Sequence, residues 1–172
     1  MPKIVLNGAI VDDQWIVLGD DIAAAIPSTT DAPHLIVPLK IWQARREELI
    51  ARGGSLGLLL QTNDEPIPFS SDASTFALIA IHFEKFTDGR GYSLGRLLRE
   101  RYGFKGELRA VGDVLQDQLF YLKRSGFNAF AIRADKNIDA ALKSLKDFSE
   151  TYQGAWDQPL PLFKRRESSS AA

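Results

Sequence analysis

Phe76-Ala77-Leu78-Ile79-Ala80-Ile81-His82-Phe83 decides the fold. The run is almost entirely apolar. A strand reads that way when both of its faces are covered, the condition that parallel sheets flanked by helices impose. A polar, glycine-containing stretch follows, Glu84-Lys85-Phe86-Thr87-Asp88-Gly89-Arg90-Gly91-Tyr92-Ser93. Helical spacing takes over from Tyr92 to Tyr102. Leu94, Leu97 and Leu98 share one face, and Arg96, Arg99, Glu100 and Arg101 lie mostly on the other. Gly103 closes the helix. Strand, polar loop and amphipathic helix in that order make the repeating unit of a parallel α/β sheet.

The same unit recurs on both sides. Upstream, His34–Leu39 reads as a strand, Ile41–Arg52 as a helix stopped by Gly53-Gly54, and Ser55–Leu60 as a second strand. A connection from Thr62 to Ser71 and a short helical turn at Asp72–Thr75 lead into Phe76. Downstream, strands at Glu107–Val111 and Phe127–Ile132 alternate with helices at Asp113–Arg124 and Asn137–Tyr152, ended by Gly126 and Gly154. The pattern predicts an α/β fold with a mostly parallel five-stranded sheet and crossover helices. Periodicity leaves two closures open, a partial (β/α)-barrel-like layer or an open doubly wound sheet. Ahead of this body, Lys3–Leu6, the turn pair Asn7-Gly8 and Gln14–Leu18 predict a β-hairpin within residues 1–20, followed by a loop from Asp20 to Ala32. The expected organisation is one domain over residues 1–166, with the β/α body at 34–154 and a disordered tail at 167–172.

The chain has 172 residues, 45% hydrophobic and 25% charged, ordinary for a globular domain. Twenty-one basic against twenty-two acidic side chains leave a net charge of −1, which gives no reason to expect nucleic acid or an anionic membrane as partner. There is no cysteine, so disulfides, thiolate catalysis and cysteine-held clusters or zinc are excluded for this chain. The start lacks the basic, then apolar pattern of a signal peptide, and no apolar run is long enough to span a bilayer, so a cytoplasmic protein is expected.

In parallel α/β sheets, sites gather where strands hand over to helices. Loops after Phe83, Val111 and Ile132 would share that rim. They bring Asp88, Arg90, Tyr92, Ser93, Asp113 and Arg133 toward one cleft with Arg109 near it, a candidate anion- or substrate-binding set. Arginine forks and a helix N-terminus suit a small oxyanion. The plainer readings make Asp113 and Ser93 helix N-caps and Asp88-Gly89 an ordinary turn. Gly89, Gly91 and Gly95 lack dinucleotide-loop spacing. His82 reads first as a hydrogen-bonded core residue, of functional interest only if it faces the rim. No catalytic triad, phosphate loop or metal-spaced carboxylate pair stands out.

The stretch from Phe83 to Ser93 resembles a known family. The match continues through Leu97-Leu98-Arg99, Gly106-Glu107-Leu108-Arg109-Ala110-Val111-Gly112-Asp113-Val114-Leu115, Asp117-Gln118 and Gly126-Phe127-Asn128-Ala129-Phe130. Together these resemble the bacterial DUF934 family, whose members carry the label of oxidoreductase involved in sulfite reduction. The resemblance implies a place in sulfate assimilation beside the sulfite/nitrite reductase hemoprotein or its electron donor. It supplies no catalytic residues.

An oxidoreductase needs a redox group, and this chain shows no recognisable one, although backbone amides and arginines at the rim leave a flavin open. Three readings follow. The first is an accessory protein of assimilatory sulfite reduction, with Arg96, Arg99, Asp117 and Gln118 as partner-contact candidates. The second is a small anion- or flavin-binding enzyme. The third is a non-catalytic structural or regulatory module.

Overall fold

A computed structural model describes residues 2–65 and 67–170. Its apolar runs become the middle of one sheet. The strands are β1 (Lys3–Leu6), β2 (Ala9–Asp12), β3 (Ile16–Val17), β4 (His34–Pro38), β5 (Ser55–Gln61), β6 (Leu78–Phe83), β7 (Glu107–Gly112) and β8 (Ala129–Phe130). Their spatial order is β2-β1-β8-β7-β6-β5-β4-β3. The five strands expected from the sequence pair in parallel and lie side by side in chain order, from β4 to β8.

The sheet is eight-stranded and mixed, which corrects the expected five-stranded parallel one. Two additions account for the difference. β1 pairs antiparallel with β8, carrying β2 with it, and β3 adds in parallel outside β4. The hairpin is real, but its returning arm is Ala9–Asp12, tightened by Asn7 and Gly8 at φ 50° and 78°. The Gln14–Leu18 run instead supplies β3 at the far edge of the sheet.

Helices α1 (Leu39–Arg52), α2 (Arg90–Glu100), α3 (Leu119–Arg124) and α4 (Ile138–Ser144) cover one face. Ile41, Trp42, Leu49, Leu94, Leu98, Leu119, Leu122 and Ala141 pack there against Val37, Leu58, Leu60, Ile79, Ile81, Phe83 and Ala110. The opposite face has its own cluster, Ile36, Leu78 and Ala80, with Trp15, Leu59 and Val111 against it and no helix. Chain-ordered strands with helices on one side set the doubly wound alternative aside. The sheet curls into a half-barrel.

The curl has a covalent cause. β2 and β3 are the two outermost strands, yet only Asp13, Gln14 and Trp15 join them. In a flat sheet of this width the edges would stand roughly 34 Å apart at the ~4.8 Å strand spacing. The link spans at most about 14 Å. It therefore runs across the inner face as a strap. Trp15 packs over Gly57, where a Cβ would sit 3.2 Å from its ring. Asp13 takes a 2.8 Å bond from Arg109 Nη1.

Other expectations change at the ends of elements. The long Asp113–Arg124 helix is a 3-10 turn at Gln116–Gln118 followed by α3. The Asn137–Tyr152 helix stops after Ser144, whose single hydroxyl proton is shared between Ala141 O and Gln116 O, each at 2.8 Å. Phe148, expected on its buried face, is 60% exposed. α5 (Leu162–Ser170) overrides the disordered-tail expectation as far as Ser170, starting directly after Pro161, a favourable helix opener. Residues 171 and 172 lie outside those described. Among the described residues, no helix is long and apolar enough to cross a membrane.

The glycine motif of α2 has a packing explanation. Gly91 and Gly95 are a helical turn apart. A Cβ on Gly91 would meet the Phe83 ring at 2.4 Å, and one on Gly95 the Phe127 ring at 2.4 Å. Gly89, by contrast, has nothing within 4 Å. Gly95→Ala is expected to lower urea-unfolding stability by about 1–3 kcal/mol, despite alanine's better helix propensity. Gly89→Ala is expected to stay within about 0.5 kcal/mol of the parent.

Candidate functional site

The carboxyl ends of β5, β6, β7 and β8 form a rim, and polar loops leave from each. The loop after β6 is anchored by Asp88. Its Oδ1 accepts from the backbone N–H and Nε of Arg90, at 3.1 and 2.9 Å. Its Oδ2 accepts from Arg90 Nη2 at 2.7 Å and from Thr62 Oγ1 at 2.5 Å. Thr62 is buried in the loop after β5, so two rim loops are tied through one carboxylate. Arg90 and then Thr62 hold the Asp88 carboxyl well below the usual range.

Asp113 organises the neighbouring loops. Its Oδ2 accepts from Phe86 N–H at 3.0 Å, and its Oδ1 accepts from Arg133 Nη1 at 2.8 Å. This corrects the N-cap expectation, since the carboxylate reaches sideways to another loop while Leu115 N–H is satisfied by Gln118 Oε1. Arg133 forks onto Asp135 with bonds of 2.6 and 2.8 Å. Both carboxyls are held below the usual aspartate range, chiefly by Arg133. Gln118 Nε2 donates to Phe86 O at 2.8 Å. The Phe86 backbone is thus held at both its N–H and its carbonyl, while its side chain is 50% exposed.

The remaining expected site residues divide. Tyr92 is half-buried, its ring edge-on to Phe83 at 5.7 Å. Burial raises its hydroxyl pKa, opposed by a hydrogen bond from Gln118. Ser93 lies inside α2, which starts at Arg90, so it does not cap that helix. Arg109 sits on the inner face, 2% exposed, bonded to Asp13 and to Glu107 Oε1 at 2.7 Å. It is not at the rim. Ala80 and Ala129, its register neighbours on β6 and β8, leave room for the guanidinium.

Arg96 is exposed and pairs with Glu100, and Asp117 is exposed as well. Arg99 and Gln118 are buried, which corrects their reading as partner contacts. Arg99 donates to Gly126 O, Phe104 O, Gly106 O and Asn128 Oδ1, clamping the end of α2 to the loops that precede β7 and β8. Burial lowers its pKa.

The mouth of the half-barrel holds residues that spacing did not reveal. His82 follows Leu78 and Ala80 on the inner face, so it does face the rim. Its Nδ1 lies 3.0 Å from Oε1 of Gln61, its register neighbour. With that oxygen as acceptor, Nδ1 carries a proton. A Cβ on Gly112 would stand 3.0 Å from Nε2, so the glycine makes room for the ring. Beside Gln61 opens a cavity of about 370 Å³, lined by Lys40, Gln43 and Asp64 over Pro38 and Leu59. The signal available in the sequence was alternation: His82 shares parity with Leu78 and Ala80. Among the described residues, no group of three or more His, Asp or Glu side chains is placed to hold a metal ion.

Fold and rim define a class: a half-barrel α/β protein whose rim charges are matched to one another. The family model described as a bacterial protein of unknown function, DUF934, matches residues 57–163, more than half of the chain, and the chain belongs to that family. No curated protein matches it.

A depressed carboxyl contributes stability that is complete above its unfolded pKa of ~3.9 and is lost as pH falls through the folded value. Asp88, Asp113 and Asp135 therefore favour the fold at neutral pH and cease to on acidification. Arg133→Gln is expected to move the Asp113 titration upward toward the ordinary aspartate range, read by carbon-13 NMR of its carboxyl. Asp88 should titrate unchanged in the same spectra.

Proposed function

We propose that this chain is a non-catalytic accessory protein of assimilatory sulfite reduction, acting with the sulfite/nitrite reductase hemoprotein or its electron donor. The resemblance supplies the pathway. The observation that carries the accessory role is the mutual neutralisation of the rim. At the rim Arg90 is taken by Asp88 and Arg133 by Asp113 and Asp135, and on the inner face Arg109 is taken by Asp13 and Glu107. A guanidinium already forked onto a carboxylate offers little to sulfite or to a flavin phosphate, because the anion must displace a partner of equal charge. The chain also lacks cysteine, the commonest side-chain redox group.

Such a protein works through surfaces. Deletion of its gene is expected to slow growth on sulfate or sulfite, with growth on cysteine unaffected. A tagged copy should co-purify with the reductase from cells grown without cysteine. Normal growth on sulfite together with no recovered sulfur-pathway enzyme would overturn the proposal.

The mouth supports a second reading, a small-molecule site, on one observation: Gln61, whose Oε1 lies 3.0 Å from His82 Nδ1, lines an open cavity at the strand carboxyl ends. Gln61→Ala frees the imidazole. If the mouth binds a metabolite, Gln61→Ala should abolish the thermal shift given by a panel of small carboxylates and amino acids. No shift with any of them in the parent protein removes this reading.

A further inference from the structure

We propose that the face built by α3, α4 and the segment from Leu145 to Asp157 docks an acidic protein segment bearing a bulky apolar side chain. A cavity between Lys123 and Lys146 receives that side chain. The inference deepens the accessory reading and rests on it for the existence of a partner. Its geometry lies on the helix-covered side, at the amino end of β8, away from the rim.

The face is apolar where a lone soluble domain would be polar. Tyr121, Phe148 and Tyr152 are 63%, 60% and 71% exposed. Tyr121 and Phe148 are joined through Phe120, which packs edge-on to Tyr121 at 5.6 Å, and exposed apolar surface of this kind marks sites of protein association. It is also ordered. Phe120 and Phe148 pack at 4.8 Å, and the Arg124 guanidinium lies 5.9 Å from the Phe120 ring. Arg124 also donates to Gln153 O at 2.5 Å and pairs with Asp157, so the segment after α4 is held against α3. Aromatic side chains fixed in this way lose little freedom on binding, which favours them as anchors.

A cavity of about 300 Å³ opens among residues of α3, α4 and the Asn7-Gly8 turn. Its floor is Phe127, Phe130, Leu142 and Leu145, and Lys123 and Lys146 stand among its lining residues. A site of this make-up suits one large apolar side chain flanked by negative charge. Among the described residues neither lysine forms an ion pair. The arginines of the rim, in contrast, are all matched.

Charge selects the occupant. Over the face itself, residues 119–124 and 138–157, four Lys and Arg meet four Asp and Glu, and the positive charge is concentrated at the cavity, whose lining holds Lys123 and Lys146 and no carboxylate. An acidic segment is attracted to it and a basic one repelled.

The test uses the full chain and three fluorescein-labelled peptides. One is acidic with a central Leu-Phe pair, one is acidic throughout, and one is basic with the same central pair. Anisotropy titrations at moderate salt are expected to rank the first tightest. Lys123→Glu with Lys146→Glu is expected to weaken it by at least about tenfold. Leu142→Trp, which fills the cavity, should remove the advantage of the Leu-Phe pair without altering binding of the wholly acidic peptide. Circular dichroism melts confirm that each variant folds. Equal binding of all three peptides, or no loss in the double lysine variant, overturns the inference. So does a double variant that loses the peptide yet still captures the reductase, and that outcome leaves the accessory role standing.

Discussion

Asp13, Gln14 and Trp15 connect the two outermost strands of the sheet, and the shortness of that link governs the architecture around it. A sheet of this width stays open only if its edges are free to separate. Here they are tied, so the strands must curve and the inner face must close on whatever the strap carries. The strap carries Trp15, which covers Gly57 and packs against His34 at 5.3 Å, and Asp13, which meets Arg109. Burying a guanidinium costs several kcal/mol unless its donors are bonded. The Asp13 and Glu107 carboxylates accept from Nη1 and Nε, and the flanking alanines leave the room for it. The ion pair is thus less a source of net stability than a statement of register: Arg109 fits only where the strap places Asp13.

The inner strands were legible and the outer ones were not, for a physical reason. β4 to β7 are covered on both faces, and uninterrupted apolarity is the trace this leaves. β3 is two residues long with both side chains exposed, so no burial pattern marks it. Helical spacing was equally plain for α1 and α2. It misled beyond Ser144, where Leu145 is buried but Phe148 turns outward into the aromatic face. Spacing recognises a candidate stripe. It does not say whether another element exists to receive it.

The rim shows the same division. That Asp88, Arg90, Asp113 and Arg133 stand at strand ends follows from the alternation of strands and helices. Their partners do not. Thr62 reaches Asp88 from another loop, Asp135 competes for Arg133, and Asp13 meets Arg109 from 96 positions away. These contacts reverse the meaning of the arginines. Cationic sites in the sequence become neutral struts in the fold, whereas Lys123 and Lys146, on the opposite side, form no ion pair among the described residues.

The position of β1 bears on how the chain comes to be assembled. β1 lies inside the sheet, between β2 and β8, and Asn7 bonds to Asn128 across 121 positions. During synthesis the first hairpin emerges with one edge unsatisfied, and its partner strand is made only after most of the chain. The parallel strands from β4 to β7 have their neighbours close behind them and can consolidate as they appear. Distant pairing of this kind is slow to form, because the intervening chain must be ordered first. The hairpin strands, translated well before β8, are thus among the last to find their place, and until then their apolar face is open to chaperones or to other chains.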